Sequence, residues 1–209
     1  MSLNKIKEEA LTYFSDASPS HDWNHVKRVK RNAEKILSKE SGDREVVLLS
    51  VYLHDIGRSR EDSGEIEDHA SWSAEKAGEI LSRHNYNRET INQVKHCIQA
   101  HRYSTSVEPE TVEAEILCDA DNLDAMGASG IARTFSYSGE HLRPLADPDL
   151  PLEQDDSEKG ETALNHVHKK LLNLKSRMYT ETGTKLSKDR HEVMEVFVKQ
   201  IEREMEEKK

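Results

Sequence analysis

Apolar residues recur at intervals of three and four positions along most of this 209-residue chain. Residues at that spacing share one face of an α-helix, whereas a half-buried strand needs strict alternation. We predict helices in eight segments, at about residues 3–14, 22–42, 46–53, 69–84, 88–101, 109–126, 162–180 and 188–205. The sequence therefore predicts an all-α fold in which several helices bury their apolar faces together.

The segment Val46–Leu53 differs from the others because it is apolar nearly all round. A strand is conceivable for such a short run, but the helical patterns on both sides favour a buried central helix. His54 and Asp55 follow this segment directly, so they are expected to end the most buried element of the fold.

Length and composition favour a single domain over residues 1–209. Domains usually contain roughly 100–200 residues, which leaves little room for a second core. The longest interruption is Leu142–Gly160, which contains three of the five prolines, several acidic residues and no periodicity. We predict a long loop there, and loops of that length are usually functional or disordered.

The formal net charge of −10 argues against a broad nucleic-acid surface, because affinity for that backbone comes mainly from Lys and Arg. A small charged substrate is still compatible, since a few basic residues can converge locally. Cys97 and Cys118 lie in apolar helical patterns, which predicts buried thiols in a reducing compartment. No apolar run approaches the ~18 residues of a membrane span. We therefore expect a cytoplasmic monomer or homodimer with no membrane partner.

Four polar side chains are expected to face the core. His25 aligns with the apolar stripe of its helix, and His54 and Asp55 end the buried segment. Asp121 lies on a helix that is predicted to be buried, where a carboxylate is rarely found without a compensating charge. A bound cation would supply that charge.

Each of these residues also has an ordinary structural explanation. A single inward histidine is more often hydrogen bonded within the core than a ligand. Asp55 could simply belong to a helix end, and Asp121 could pair with an arginine. As a set, two imidazoles and two carboxylates suit Mn²⁺, Fe²⁺, Ni²⁺, Co²⁺ or Mg²⁺ and leave coordination positions open. The residue pattern alone leaves both explanations open.

The order of these residues resembles the HD-domain metal-dependent phosphohydrolase superfamily. His25, the adjacent pair His54-Asp55 and the later Asp121 follow its H…HD…D order. Further motifs resemble a subgroup of small, stand-alone HD proteins, at residues 20–25, 124–133 and 162–166. The resemblance implies an HD-domain helical bundle with these four residues as metal ligands, and Mn²⁺ is the preferred ion.

The subgroup resemblance also implies an enzyme that acts on a small phosphorylated substrate. The expected reaction is hydrolysis of a nucleoside or deoxynucleoside triphosphate to the monophosphate and pyrophosphate. A divalent cation would make the attacking water more acidic and polarise the phosphoryl oxygen. A nucleotide monophosphatase or phosphodiesterase that uses the same ligands is the nearest alternative. A non-catalytic nucleotide or metal sensor is an alternative of a different class.

His69 and His101 are the predicted catalytic residues. Both align with apolar positions of their helices, and both resemble the additional histidines of an H…HD…H…H…D arrangement. In some relatives such histidines bind a second metal, and in others they meet the substrate phosphate. We predict phosphate contact or proton transfer here, with ordinary interior histidines as the alternative.

Arg133, Lys170 and Lys175 are the predicted phosphate-binding residues. Arginine offers forked hydrogen bonds to phosphate and lysine offers a point charge. Their assignment rests on motif matches, because basic residues on helix surfaces are usually solvated.

One departure from the superfamily pattern concerns the general acid. Many relatives carry an acidic residue three positions after the HD pair, whereas Gly57-Arg58 stands here. This departure is the main support for the sensor alternative. Glu61 and Asp62 could supply a carboxylate, but we expect the polar stretch Arg58–Asp68 to be a solvated loop over the mouth of the core.

Overall fold

The chain folds into helices throughout the part that the computed structural model describes, which is residues 2–102, 107–146 and 162–205. The α-helices are α1 (Ser2–Leu11), α2 (Trp23–Leu37), α3 (Arg44–Leu53), α4 (Arg58–Asp62), α5 (His69–Arg83), α6 (Arg88–Ala100), α7 (Val112–Asp124), α8 (Gly127–Glu140), α9 (Ala163–Lys169) and α10 (Glu181–Met205). Short 3-10 helices cover Thr12–Phe14, Pro19–His21 and Leu171–Arg177. No β-strand occurs in these three ranges, so the all-α prediction is confirmed.

Helix α3 is the centre of the fold, as its composition predicted. Every residue from Val46 to Leu53 is buried, and α3 contacts α1, α2, α6 and α7. Helix α2 also packs along α7, and α5 packs along α6. A second, smaller apolar cluster joins α9 and the following 3-10 helix to α10 through Met126, Val167, Leu171, Leu174, Met194 and Val198. This packing brings the C-terminal end of α3 close to α2, α5 and α7.

The start of α2 agrees with the prediction, whereas several other helix boundaries differ from it. The Asp22 carboxylate accepts hydrogen bonds from the amides of Asn24 and His25, which confirms the predicted start of α2. Helix α2 ends at Leu37 rather than at Gly42. The predicted helix at 162–180 is divided into α9 and a 3-10 helix, and α10 begins seven residues before position 188.

Two further differences concern the connections. Helix α8 occupies a segment for which the apolar pattern predicted no helix. The predicted loop Leu142–Gly160 falls largely outside the described residues, which stop at 146 and resume at 162. Within the described part of the chain, no helix has both the length and the apolar character needed to cross a membrane.

The start of α10 is anchored to α7 by the buried carboxylate of Asp119. Its Oδ1 accepts the backbone N–H of Tyr179 at 2.9 Å, and its Oδ2 accepts the N–H and the hydroxyl of Thr180 at 2.8 and 2.7 Å. Thr180 Oγ1 in turn accepts the N–H of Gly183. These bonds satisfy donors that a helix N-terminus would otherwise leave unpaired.

Gly183→Ala is expected to destabilise the protein, because an added Cβ would overlap Asp119 Oδ2 and lie 2.8 Å from its Cγ. Overpacking of this kind costs about 1–3 kcal/mol. Chemical denaturation should show a lower midpoint than for the unmodified chain. Gly139→Ala is the matched control, because nothing lies within 4 Å of its Cβ position and a helical alanine should be neutral or stabilising. Equal midpoints for the two variants would contradict the proposed anchor.

Candidate active site

Asp55 lies just after α3 with four imidazoles around its carboxylate. Its Oδ2 is 3.4 Å from His25 Nε2 and 3.6 Å from His54 Nε2. Its Oδ1 is 3.3 Å from His69 Nε2 and 3.6 Å from His101 Nε2. All five side chains are buried. The structure thus brings together three of the predicted ligands and both predicted catalytic histidines, from α2, α3, α5 and α6.

Two of these imidazoles are oriented by the helices that carry them. His54 Nδ1 donates to the carbonyl oxygen of Val51 at 2.9 Å, and His101 Nδ1 donates to that of Ile98 at 2.5 Å. In the neutral ring a protonated Nδ1 leaves a lone pair on Nε2, the atom that faces Asp55. The neutral His54 ring therefore presents an acceptor nitrogen to the site. Burial acts to lower the pKa of His101, but the neighbouring Asp55 carboxylate raises it.

The other two imidazoles are oriented by carboxylates. His25 Nδ1 donates to Asp124 Oδ2 at 2.8 Å, and His69 Nδ1 donates to Glu61 Oε2 at 2.7 Å. A carboxylate behind an imidazole fixes its orientation and raises the basicity of its other nitrogen, which is the usual outer support of a metal-binding histidine. All four Nε2 atoms are thereby directed at one carboxylate.

The donor atoms around His25 Nε2 have the spacing of ligands around one cation. His25 Nε2 is 3.2 Å from His54 Nε2 and 3.5 Å from Asp121 Oδ1. Ligands at about 2.1 Å from a common ion lie about 3.0–3.4 Å apart in octahedral or tetrahedral arrangements. The nitrogen and oxygen donors therefore fit a divalent cation in both chemistry and spacing.

The protonation states of two members of this cluster, His54 and Asp55, suit a cation. Burial is the main cause that lowers the pKa of His54 to about 4, so its ring is neutral at neutral pH. Burial acts to raise the pKa of Asp55, but the nearby imidazoles outweigh it, and the pKa lies well below its usual value. The site therefore contains an ionised buried carboxylate beside a neutral histidine.

Asp121 is less buried than the sequence predicted. Its side chain is 27% exposed. The close groups of candidate ligand atoms include His25, His54 and Asp55 in one case and Asp55, His69 and His101 in another, and neither contains Asp121. The fully buried carboxylates of α7 are instead Asp119 and Asp124. The helical turn of about 100° per residue explains this difference, because it directs Asp121 towards the open side of the site.

Asp124 connects the candidate metal site to two arginines. Besides His25, its carboxylate accepts hydrogen bonds from Arg28 Nε at 2.7 Å and from Arg133 Nη1 at 2.8 Å. Burial acts to raise the pKa of Asp124, but the bonds from His25 and Arg28 hold it well below its usual value. Arg133 Nε also donates to the Ser20 carbonyl oxygen, so both ends of this guanidinium are fixed.

The predicted solvated loop Arg58–Asp68 is wrong for its first part, whereas residues 63–68 form no helix and are mostly exposed. Residues 58–62 form α4, and the Glu61 side chain is only 16% exposed. Glu61 binds His69 and pairs with Arg58 and Arg102 at 3.3 and 2.8 Å. Gly57 allows this arrangement because an added Cβ would lie 2.9 Å from the Trp72 ring. Helix α4 is thereby held against α5 beside the site.

One cavity opens onto this cluster, and a second cavity adjoins the first. The first, which we call the histidine cavity, has a volume of about 200 Å³ and is lined by His25, Asp55, His69, His101, Asp121 and neighbours. The second, which we call the basic cavity, has a volume of about 250 Å³, and its basic lining residues are Arg58, Arg133, Arg143 and Lys170. Arg58, Arg133 and Lys170 line both cavities.

Two of the three predicted phosphate-binding residues line the cavities, and the third does not. Arg133 and Lys170 lie at the shared wall of the two cavities, whereas Lys175 is exposed and lines neither. Arg58 and Arg143 were not among the predicted residues. Arg58 directly follows Gly57 in the stretch predicted to be solvated, and Arg143 lies in a connection without periodicity. The sequence therefore held no pattern that could have identified Arg143.

Comparison with known proteins agrees with the geometry. The HD domain model matches residues 22–126, a span that contains all four predicted ligands. The chain belongs to the HD domain family. The related YpgQ protein of Bacillus subtilis is 30% identical over 205 residues, which cover 96% of this chain and 92% of YpgQ.

Solved structures of HD relatives have the same fold. A protein from Lactobacillus plantarum superposes with a TM-score of 0.83 at 26% identity, over 98% of this chain and 96% of its own. An HD-superfamily hydrolase from Bacillus thuringiensis superposes with a TM-score of 0.75 at 29% identity, over 99% of this chain and 97% of its own. YpgQ in complex with ADP superposes with a TM-score of 0.76 at 28% identity, over 98% of both chains. The prediction of an HD-type metal-dependent phosphohydrolase is thereby confirmed.

Proposed function

We propose that this HD phosphohydrolase hydrolyses nucleoside or deoxynucleoside triphosphates to the monophosphate and pyrophosphate. The observation that carries the proposal is the basic cavity beside the histidine cavity, which gives a chain of phosphates a positively charged site next to the candidate metal ligands. The ADP bound to YpgQ supports a nucleotide as the ligand. The reaction needs a site for a cation and a site for phosphates. The histidine cavity offers the first, and the basic cavity offers the second.

The proposed metal ligands are His25, His54, Asp55 and Asp121. Their mixed nitrogen and oxygen donors suit several divalent ions, and we propose Mn²⁺, with Mg²⁺, Fe²⁺, Ni²⁺ or Co²⁺ as alternatives. When bound there, a divalent cation supplies Lewis acidity to a phosphoryl oxygen and lowers the pKa of a water molecule. Asp55 brings the negative charge, and His54 stays neutral and able to donate its Nε2 lone pair because burial lowers its pKa.

The proposed roles of the remaining residues follow from their atoms. His69 and His101 present Nε2 to the site and would contact the phosphoryl group or move a proton at that atom. Glu61 holds His69 Nδ1, so a charge that develops on this ring is stabilised from behind. The guanidinium of Arg133 and the ammonium of Lys170 would bind phosphate oxygens at the wall between the cavities.

The test is turnover by metal-stripped protein to which single divalent ions are returned. Nucleoside triphosphates should yield pyrophosphate and the monophosphate with Mn²⁺, and a chelator should abolish the reaction. Pyrophosphate and orthophosphate are quantified separately. Orthophosphate alone would indicate a monophosphatase, and a linearised cyclic nucleotide would indicate a phosphodiesterase. Stoichiometric metal uptake without any turnover would identify a sensor, and each of these three results would overturn the proposal.

A further inference from the structure

The basic cavity concentrates positive charge in a chain whose formal net charge is −10. Arg58, Arg133, Arg143 and Lys170 line it. Among the residues that the structure describes, no aspartate or glutamate does so. The histidine cavity, in contrast, contains Asp55 and Asp121. The acidic side chains therefore line only the histidine cavity, whereas Arg58, Arg133 and Lys170 form a basic wall that both cavities share.

Each arginine of the wall is held in place by at least one acidic side chain that does not line the basic cavity. Arg133 donates through Nε and Nη1 to Ser20 and Asp124, and neither bond uses Nη2. Arg58 pairs with Glu61 and Asp62 at 3.3 and 3.2 Å. Such outer support lowers the conformational cost of binding a ligand, because the side chains are already ordered.

Arg143 lines the basic cavity but not the histidine cavity. Its guanidinium lies over the Tyr137 ring, with Cζ at 5.1 Å from the ring centroid. The same ring stacks on His141 at 3.9 Å. Tyr137 is therefore packed against protein groups and is poorly placed as a platform for a nucleobase. The hydroxyl-bearing residues Thr134 and Ser138 of α8 are buried in the same lining.

Size restricts the occupant further. Pockets that enclose a whole drug-sized ligand usually have volumes from about 300 Å³ upwards. The volume of the basic cavity, about 250 Å³, is below this range. It is still several times the ~30 Å³ that one water molecule occupies in the liquid. It therefore suits a compact, highly charged fragment better than a complete nucleotide.

We propose that the basic cavity binds the diphosphate part of the substrate, which becomes the leaving group, an inference that rests on the function proposed above. In the reaction the oxygen of water joins the α-phosphorus, and the bond from this phosphorus to the α,β-bridging oxygen breaks. The bridging oxygen departs with the electron pair as part of diphosphate, and the two protons of water pass to the products and the medium. The cavity thus selects substrates with two phosphates beyond the scissile bond.

The test is calorimetric binding of inorganic diphosphate to the full chain loaded with Mn²⁺. Arg143→Ala should weaken this binding about 10-fold, the effect of one lost charge-assisted hydrogen bond. Arg143→Lys should retain part of the affinity. Arg44→Ala is the control, because Arg44 is 65% exposed and lines neither cavity. In turnover, Arg143→Ala should raise KM for a triphosphate, whereas Arg44→Ala should leave this KM unchanged.

Two results would overturn the assignment of the cavity. One is equal diphosphate affinity in Arg143→Ala, Arg44→Ala and the unmodified chain. The other is weaker binding of a free nucleoside to Arg143→Ala with unchanged diphosphate affinity, which would place the nucleoside in this cavity. Failure of the proposed function is a separate result, because it appears as the wrong reaction product from the unmodified chain.

Discussion

Asp55→Asn is expected to reduce metal-dependent phosphohydrolysis by more than about 100-fold, because loss of an outer support of a metal ligand already costs 10–100-fold. The asparagine keeps the shape of the side chain but removes the charge on which four Nε2 atoms converge. The measurement is kcat/KM at saturating Mn²⁺, together with bound metal per chain.

Asp189→Asn is the control for this variant. Asp189 is exposed on α10 and lines neither cavity, so the same chemical change should leave activity and metal content as they are. If Asp55→Asn retained full activity with a normal metal content, this carboxylate would not be part of the metal site.

Asp124→Asn is expected to weaken metal binding about 10–100-fold, the usual effect of removing a carboxylate behind a ligating histidine. The amide can still accept a bond from His25 Nδ1, but it no longer carries the charge that raises the basicity of the ring. Asp124 is thus a positioning residue. The measurement is the dissociation constant for Mn²⁺ by calorimetry, with thermal denaturation of the metal-free protein alongside.

Arg28→Gln provides the comparison, because Arg28 binds the same carboxylate and lines neither cavity. Its loss should change the metal affinity much less than Asp124→Asn does. Equal effects of the two variants would mean that Asp124 acts through general stability rather than through His25. Unchanged metal affinity in Asp124→Asn would contradict the positioning role outright.

The parts of the site that local sequence could predict are those set by helix periodicity. His25 follows the apolar stripe of α2, and His54 and Asp55 follow the wholly buried α3, so their inward directions depend only on their own helices. The same holds for His69 and His101, which lie at the ends of α5 and α6. The order of these residues then indicated the family.

The parts that could not be predicted depend on contacts between distant segments. His25 meets Asp124 across 99 positions of the chain, and no local pattern indicates that pairing. Asp119, Asp121 and Asp124 all lie within one motif, and their different burial follows from what packs against each face of α7. Glu61 was expected to be solvated because α4 is short and polar, and its burial depends on His69 and Arg102.

The position of Arg143 has a consequence for how substrate preference can diverge between related enzymes. The candidate metal ligands belong to α2, α7 and the end of α3, which pack against one another in the interior. Arg143 lies three residues after the end of α8, outside any helix. Connections of this kind tolerate substitutions and insertions that a packed interior does not. Descendants of a common ancestor could therefore exchange one class of phosphorylated substrate for another without rebuilding the reaction centre.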